Sequence, residues 1–123
     1  MSNDRLVKFD ISDPARLLHE LDWVQHSSQG RLGARIRPVY RLDEPARSVA
    51  FVRFEPGSSA LPHRHASFET IVVLDGDYTD EFGMHRQGEV VVYPPGSRHA
   101  WASTHGATLL VVWDGPTVTA DPP

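Results

Sequence analysis

The sequence of 123 residues contains no cysteine. This absence excludes disulfide bonds, thiolate zinc fingers, cysteine-ligated iron–sulfur clusters and thiol nucleophiles. Any metal ion must therefore be held by nitrogen and oxygen atoms. A chain of this length is expected to form one domain, which buries about two-thirds of the surface that the unfolded chain exposes.

Long hydrophobic runs and clustered positive charge are absent as well. No segment approaches the run of about 20 apolar residues that spans a membrane, and the polar N-terminus has no secretory apolar core. The formal net charge is −4 and the 12 basic residues are scattered along the sequence, so no cluster of positive charge that would bind nucleic acid is predicted. We therefore expect a cytoplasmic protein that binds neither membranes nor nucleic acids.

One short helix is predicted near the N-terminus. The segment 12–21 carries a capping residue, a proline in the first turn and leucines at helical spacing. From Ala34 onward the composition changes to short runs rich in Val, Ile, Phe and Tyr, which are separated by Gly, Pro, Asp and Ser. These runs predict strands at 34–40, 48–55, 61–65, 68–74, 77–82, 89–93, 98–102 and 107–113.

Turn signals separate the predicted strands. Asp75-Gly76 is predicted to be a turn between two strands, and Gly83 a second turn. Many short strands with frequent turns favour an antiparallel sandwich or small barrel. We expect an N-terminal arm over 1–33, a barrel over 34–115 and a C-terminal tail over 116–123.

Potential metal ligands cluster between Gly57 and Gly76. His63 and His65 are two residues apart, so in a strand both side chains point to the same side of the sheet. Glu69 follows four residues later and could join them from the next strand. Two imidazoles and a carboxylate that converge on one point favour a metal site.

A second unit of similar texture runs from Gly88 to Ser103, where a Pro-x-Gly corner is followed by a histidine. At this point the sequence resembles the cupin superfamily. The first cupin motif, G-x5-H-x-H-x3-E-x6-G, is matched by Gly57, His63, His65, Glu69 and Gly76. The second motif, G-x5-P-x-G-x2-H-x3-N, is matched by Gly88, Pro94, Gly96 and His99, with Ser103 in place of its final asparagine.

The resemblance implies an all-β fold, a double-stranded β-helix or jelly-roll barrel with a short N-terminal helix. It also implies that His63, His65, Glu69 and His99 bind one divalent metal ion. Three imidazoles and a carboxylate suit zinc, iron(II), nickel or manganese, and ligand identity does not choose among them. Cupins commonly dimerise, so a homodimer is expected.

A closer resemblance involves 51–57 and 73–113, which are similar to the cupin domain of zinc-binding anti-sigma factors that respond to singlet oxygen. Related stand-alone cupins include dioxygenases that act on diketones or hydroxylated aromatic ketones. The resemblance thus implies either such a dioxygenase or a non-catalytic zinc sensor that binds a small ligand. A metal-free pocket with a histidine base is a third reading. Because the sequence has neither cysteine nor room for the sigma-binding domain, sigma-factor inhibition is not expected.

Strand alternation suggests which residues line the pocket around a small organic molecule. Trp101 and Ser103 share parity with His99, and Ile71 and Val73 share parity with Glu69. For Trp101 a core role is favoured over a contact with substrate. In the preceding strand either Phe51 with Arg53 or Val52 with Phe54 faces inward, and Arg53 is expected to be exposed. The remaining polar residues considered are expected to be solvated, namely His26, Asp77, Asp80, Glu81, His85 and His105.

Overall fold

The computed structural model describes residues 6–26 and 31–119; the rest of the predicted arm and tail lie outside this range. The predicted helix is present as α1 (Pro14–Glu20). Asp13 caps it, accepting a hydrogen bond from the Arg16 backbone N–H at 3.3 Å, and Pro14 occupies the first turn, where its missing N–H costs no hydrogen bond. Leu17 is the buried side chain of the helix and packs against Phe51.

Eleven strands follow within the described ranges. In chain order they are β1 (Val24–Gln25), β2 (Leu32–Asp43), β3 (Ala46–Ser59), β4 (His63–His65), β5 (Glu69–Asp80), β6 (Gly83–Arg86), β7 (Val90–Tyr93), β8 (Arg98–His99), β9 (Ala102–Ser103), β10 (Ala107–Trp113) and β11 (Thr117–Thr119).

The described strands form two antiparallel sheets. The larger has the order β1-β2-β3-β10-β5-β6, with β7 paired to β5 and β9 paired to both β3 and β5. The smaller has the order β11-β4-β8. A main sheet curled so that non-sequential strands become neighbours is the arrangement of a jelly-roll barrel, and the predicted all-β fold is confirmed.

The predicted turn at Asp75-Gly76 is wrong. The two strands predicted on either side of it are a single strand, β5. Against β10, Thr108 pairs with Asp75 but Leu109 pairs with Val73, which leaves Leu74 as an extra residue. Gly76 has a φ of +72° inside this strand. A positive-φ glycine serves a β-bulge as well as a turn, so the chain bends here without reversing.

Other predicted boundaries also change. The predicted strand 98–102 is interrupted at Ala100 and Trp101, which lie between β8 and β9. The strand β6 was not predicted, because its short polar sequence after Gly83 resembles a turn. The hairpin of β2 and β3 extends well past the predicted strand ends on both sides of its connection.

Two hydrophobic clusters lie on opposite faces of the main sheet. The first fills the barrel and includes Val52 and Phe54, so these residues of β3 face inward. Phe51 belongs to the second cluster beneath the helix. Arg53 points to that side but is only 9% exposed and donates to the Thr108 hydroxyl at 3.1 Å, so its expected exposure is wrong. In the described part of the chain, no helix reaches the length and hydrophobicity that crossing a membrane requires.

The close approach of Gly76 to the backbone at Gly106 generates a stability prediction. A Cβ atom at position 76 would lie 2.1 Å from the Gly106 carbonyl oxygen, whereas one at Gly57 would meet no atom within 4 Å. Both glycines have positive φ, 72° and 80° respectively. Gly57→Ala should therefore lower the free energy of unfolding by about 1–2 kcal/mol, the cost of a left-handed alanine.

Gly76→Ala should lower it by about 3 kcal/mol or more, because steric overlap adds to the same backbone cost. Urea unfolding of both variants and the parent chain measures the difference. Equal losses would contradict the close contact between β5 and the Gly106 carbonyl.

Candidate metal centre

Three histidines meet inside the barrel. His63 and His65 alternate on β4 with the exposed Arg64 between them, and both are buried. His99 on the neighbouring β8 is directly opposite His63 in the register and is also buried. One ring nitrogen from each histidine lies within 4.8 Å of the others, so these three side chains could hold a metal ion.

Hydrogen bonds on the outer side of the rings fix the tautomers of His63 and His99. The Nδ1 atom of His63 donates to the Leu61 carbonyl at 3.2 Å. The Nδ1 atom of His99 donates to the Asp80 carboxylate at 2.9 Å. Because a carbonyl and an ionised carboxylate only accept, both Nδ1 atoms carry hydrogen, and in a neutral imidazole of that tautomer the Nε2 atom offers a lone pair.

The same logic applies to His65. Its Nδ1 atom lies 3.0 Å from the Ser97 hydroxyl, whose own hydrogen is donated to the Pro94 carbonyl at 2.6 Å. The serine oxygen therefore accepts from His65. The buried Nε2 atom of His65 makes no hydrogen bond to the described part of the chain.

The three Nε2 atoms form an electron-rich cluster. Those of His63 and His99 are 2.9 Å apart. In the tautomers set by the outer hydrogen bonds these two lone pairs face each other, which is unfavourable unless a cation lies between them. Outer N–H donors with inward Nε2 lone pairs are the usual arrangement of metal-ligating imidazoles, so the donor set fits a metal ion.

A carboxylate lies beside the histidines. Glu69 is buried at the start of β5, with Oε2 3.2 Å from the His65 Nε2 atom, and it accepts a hydrogen bond from the Trp113 indole at 2.8 Å. Burial acts to raise the pKa of Glu69, but the close contact with His65 lowers it more, and the pKa is lowered overall. Burial also lowers the pKa of His63 to about 4, helped by His99, so its ring is neutral at pH 7.

Asp80 is the main functional residue that the sequence analysis missed. Its side chain is fully buried, not solvated. One carboxylate oxygen accepts from His99 at 2.9 Å and from the Tyr93 hydroxyl at 2.5 Å, and the other accepts from the His85 Nε2 atom at 2.9 Å. His85 is itself partly buried, with a side chain that is 13% exposed, so its predicted exposure is also wrong.

Two opposing effects act on the pKa of Asp80. Burial acts to raise it, but the hydrogen bonds from His99, Tyr93 and His85 outweigh burial and hold the pKa well below its ordinary value. The Tyr93 hydroxyl in turn accepts from Tyr78 at 2.8 Å. Burial raises the pKa of both tyrosines, so they stay protonated and donate along a chain that ends at Asp80.

The bulge explains why this residue escaped detection. Glu69, Ile71 and Val73 face inward, so regular alternation would bring the odd-numbered residues of β5 inward throughout. The extra residue Leu74 switches the inward set to even numbers, and Asp80 enters the barrel. Reading β5 as one bulged strand would have found it.

A small cavity, termed here the inner chamber, adjoins the histidines. Two of the predicted pocket residues, Ile71 and Trp101, line it. One face of Trp101 is covered by Phe54, which stacks on it at 3.6 Å between ring centroids. The complete lining among the described residues is His26, Arg31, Val52, Phe54, His63, Glu69, Ile71, Tyr78, His99, Trp101, Leu109, Val111 and Trp113.

The other two predicted pocket residues lie elsewhere in the interior. Val73 is buried in the barrel core but does not line the inner chamber. Ser103 donates to the Asp77 carbonyl at 2.7 Å and accepts from the Gly106 N–H at 3.0 Å, so it fixes the backbone before β10. The lining residues His26, Arg31 and Trp113 were not predicted, since they lie far from both motifs in the sequence.

Comparison with known proteins agrees with the fold. The model of the ChrR cupin-like domain matches residues 14–118. The chain belongs to the ChrR cupin-like family. No curated protein matches it.

Solved structures similar to this family member share its fold. An acetylacetone dioxygenase from Acinetobacter johnsonii is 16% identical, with a TM-score of 0.78 over 98% of this chain and 80% of that chain. The polyketide cyclase RemF from Streptomyces resistomycificus is 15% identical, with a TM-score of 0.71 over 97% and 88%. The complex of Rhodobacter sphaeroides SigE with the anti-sigma ChrR gives 18% identity and a TM-score of 0.62, covering 78% of this chain and 50% of that chain.

The bond between Asp80 and His99 generates a prediction about metal affinity. Asp80→Asn removes the charge that orients the His99 ring and brings an amide group to the donors Tyr93 and His85. Outer partners of this kind typically contribute about 10–100-fold to metal affinity, and a loss in that range is expected. Zinc dissociation constants from competition with a chromogenic chelator measure it.

Asp77→Asn is the matched control, because it removes the same charge from the same strand and, beyond the bulge, the odd-numbered residues of β5 face away from the barrel interior. It should leave the zinc dissociation constant unchanged. An equal loss in both variants would mean that general electrostatics, not His99 orientation, sets the affinity.

Proposed function

We propose that the chain binds one divalent metal ion through His63, His65, His99 and Glu69. The observation that carries this proposal is the outward hydrogen bonding of all three Nδ1 atoms, which directs the three Nε2 atoms into one buried space. Glu69 supplies the negative charge. Zinc, iron(II), nickel and manganese are the candidates, since each accepts imidazole and carboxylate ligands.

Alanine substitutions test the ligand set. His63→Ala, His65→Ala and His99→Ala should each reduce zinc affinity by more than about 100-fold, because a lost ligand costs more than a lost outer partner. Elemental analysis of freshly purified protein, before and after metal addition, gives the stoichiometry. His105→Ala is the control and should bind like the parent, since His105 is exposed and does not belong to the buried histidine cluster.

A parent stoichiometry near zero that metal addition cannot raise would contradict the metal site. Equal losses in all four variants, including His105→Ala, would show that the site is misplaced.

For activity we propose dioxygenase chemistry on a small diketone or hydroxylated aromatic ketone. The supports are the fold shared with acetylacetone dioxygenase and the apolar wall that Ile71, Trp101 and Val111 add beside the ligands. A bound iron(II) would supply Lewis-acid polarisation of substrate oxygens and a site for dioxygen. The protein's own contributions are a dry wall, a Glu69 carboxylate oriented by Trp113 and a His99 ring oriented by Asp80.

The alternative is a non-catalytic zinc site that senses or binds a small ligand. Two observations favour it: membership of the ChrR cupin-like family and the small volume of the inner chamber, about 20 Å³. Four protein ligands around zinc leave the metal saturated, which suits a structural or sensing role. In either case the homodimer and the cytoplasmic location stay predictions from the sequence.

Oxygen consumption separates the two functions. Iron-loaded protein should consume dioxygen in the presence of acetylacetone or an aryl diketone, and the His63→Ala variant treated identically should not, because it cannot retain iron. The measurement uses an oxygen electrode, with zinc-loaded parent as a second control. No consumption across a panel of diketones and hydroxylated aromatic ketones, with iron bound stoichiometrically, would favour the non-catalytic function.

A further inference from the structure

Glu69 differs in position from the three histidines. One ring nitrogen from each of His63, His65 and His99 lies within 4.8 Å of the others, and no carboxylate in residues 6–26 and 31–119 belongs to this compact group. The Glu69 Oε2 atom lies 3.2 Å from the His65 Nε2 atom, so the carboxylate adjoins one of the histidines without being central to all three. The three imidazoles are therefore arranged for a cation independently of Glu69.

Trp113 holds the Glu69 carboxylate in this position. The two residues are direct cross-strand partners on β10 and β5, and the indole donates to the Glu69 Oε2 atom at 2.8 Å. Hydrogen bonds from an N–H group to an ionised carboxylate are among the stronger ones in proteins, and the indole N–H only donates. The oxygen next to His65 is thus already engaged, and a metal ion would compete with Trp113 for its lone pairs.

The same hydrogen bond gives Glu69 a partner when the carboxylate is not bound to a metal ion. Glu69 is only 6% exposed. A buried carboxylate without a partner is costly, so a carboxylate that leaves a cation inside a protein needs another donor. The Trp113 indole is such a donor and is already within hydrogen-bond distance. Trp113 therefore lowers the free energy of the state in which Glu69 is off the metal.

The inner chamber leaves room for one incoming ligand atom. Its volume is about 20 Å³, and its lining includes Glu69, Trp113, His63 and His99. Because about 10–15 Å³ suffices for one water molecule, a single donor atom fits beside the carboxylate and the histidines. A divalent cation with one carboxylate keeps one net positive charge, which favours a monoanion over a neutral ligand.

We propose that Glu69 is an exchangeable ligand, whose carboxylate Trp113 retains in the chamber wall while one donor atom of a small monoanion takes its place beside the three histidines. This inference rests on the proposed metal site. It makes Trp113 a positioning residue that favours ligand entry. A residue that only orients a metal-bound carboxylate would instead strengthen metal binding, so substitution of Trp113 distinguishes the two roles.

Cobalt(II) and azide test the exchange on the full chain. Cobalt(II) accepts imidazole and carboxylate ligands, and its visible absorption depends on the ligands it has, so azide binding can be titrated by absorbance. Trp113→Phe keeps an aromatic ring but removes the N–H donor. It should bind azide about tenfold more weakly or worse, because the displaced carboxylate loses a charge-assisted hydrogen bond. Its cobalt affinity, measured by competition with a chelator, should not fall.

Trp23→Phe is the matched control. It makes the same change at an indole that donates to the Leu18 carbonyl at 3.2 Å and does not line the inner chamber. Its cobalt affinity and its azide affinity should both equal those of the parent chain.

Glu69→Ala gives a second, independent measurement. It should still bind cobalt stoichiometrically through the three histidines, with a smaller loss of affinity than His63→Ala. It should bind azide more tightly than the parent, because no carboxylate competes for the position. The double variant Glu69→Ala/Trp113→Phe should bind azide like Glu69→Ala, since Trp113 acts through Glu69.

Unchanged azide affinity or weakened cobalt binding in Trp113→Phe would overturn the exchange and leave the metal site standing. The same holds for a cobalt-loaded parent that does not bind azide, and for a Glu69→Ala variant that binds azide no more tightly than the parent. If Trp113→Phe does not fold, the comparison of Glu69→Ala with the parent decides. A parent protein that binds no cobalt would remove the metal site and this inference with it.

Discussion

The bulge in β5 is the constraint on which the site depends. The strand passes so close to the Gly106 carbonyl that its residue 76 has no room for a Cβ atom, and one extra residue, Leu74, is accommodated beside it. That extra residue reverses the alternation of the strand. As a result, a single strand supplies Glu69 to the inward cluster from one end and Asp80 to the back of His99 from the other.

Hydrogen bonds on the outer side of the histidine rings determine which ring nitrogens face the inside of the site. Hydroxyl donors from Tyr78 and Tyr93 lead to Asp80, which holds the outer nitrogen of His99. A carbonyl and a serine oxygen do the same for His63 and His65. Each imidazole is thereby locked in one tautomer and one orientation, a preorganisation that lowers the cost of arranging ligands around a cation. The carboxylate of Asp80 is the most connected group in this arrangement.

Strand composition and turn spacing predicted a barrel or sandwich, and strand parity placed His63 and His65 on one face. The convergence of His99 with them was implied by the resemblance to the cupin motifs. His63 and His65 obey strand parity, and the corner at Pro94–Gly96 returns the chain so that His99 lies opposite them. Asp80 could not be found by the same reasoning, because one inserted residue inverts parity and leaves no mark other than a glycine that also suits a turn. Trp113 and Arg31 line the inner chamber because strands that are distant in the sequence are neighbours in the sheet. The alternation of residues within one segment does not predict which strands become neighbours.

The division of the described strands into two sheets has a mechanical consequence. His63, His65 and His99 belong to the small sheet, whereas Glu69 begins a strand of the main sheet. The backbone ladders of β4 and β8 run only within the small sheet among these strands. A cation bound by all four side chains would link the two separately hydrogen-bonded sheets, and its binding free energy would oppose their separation.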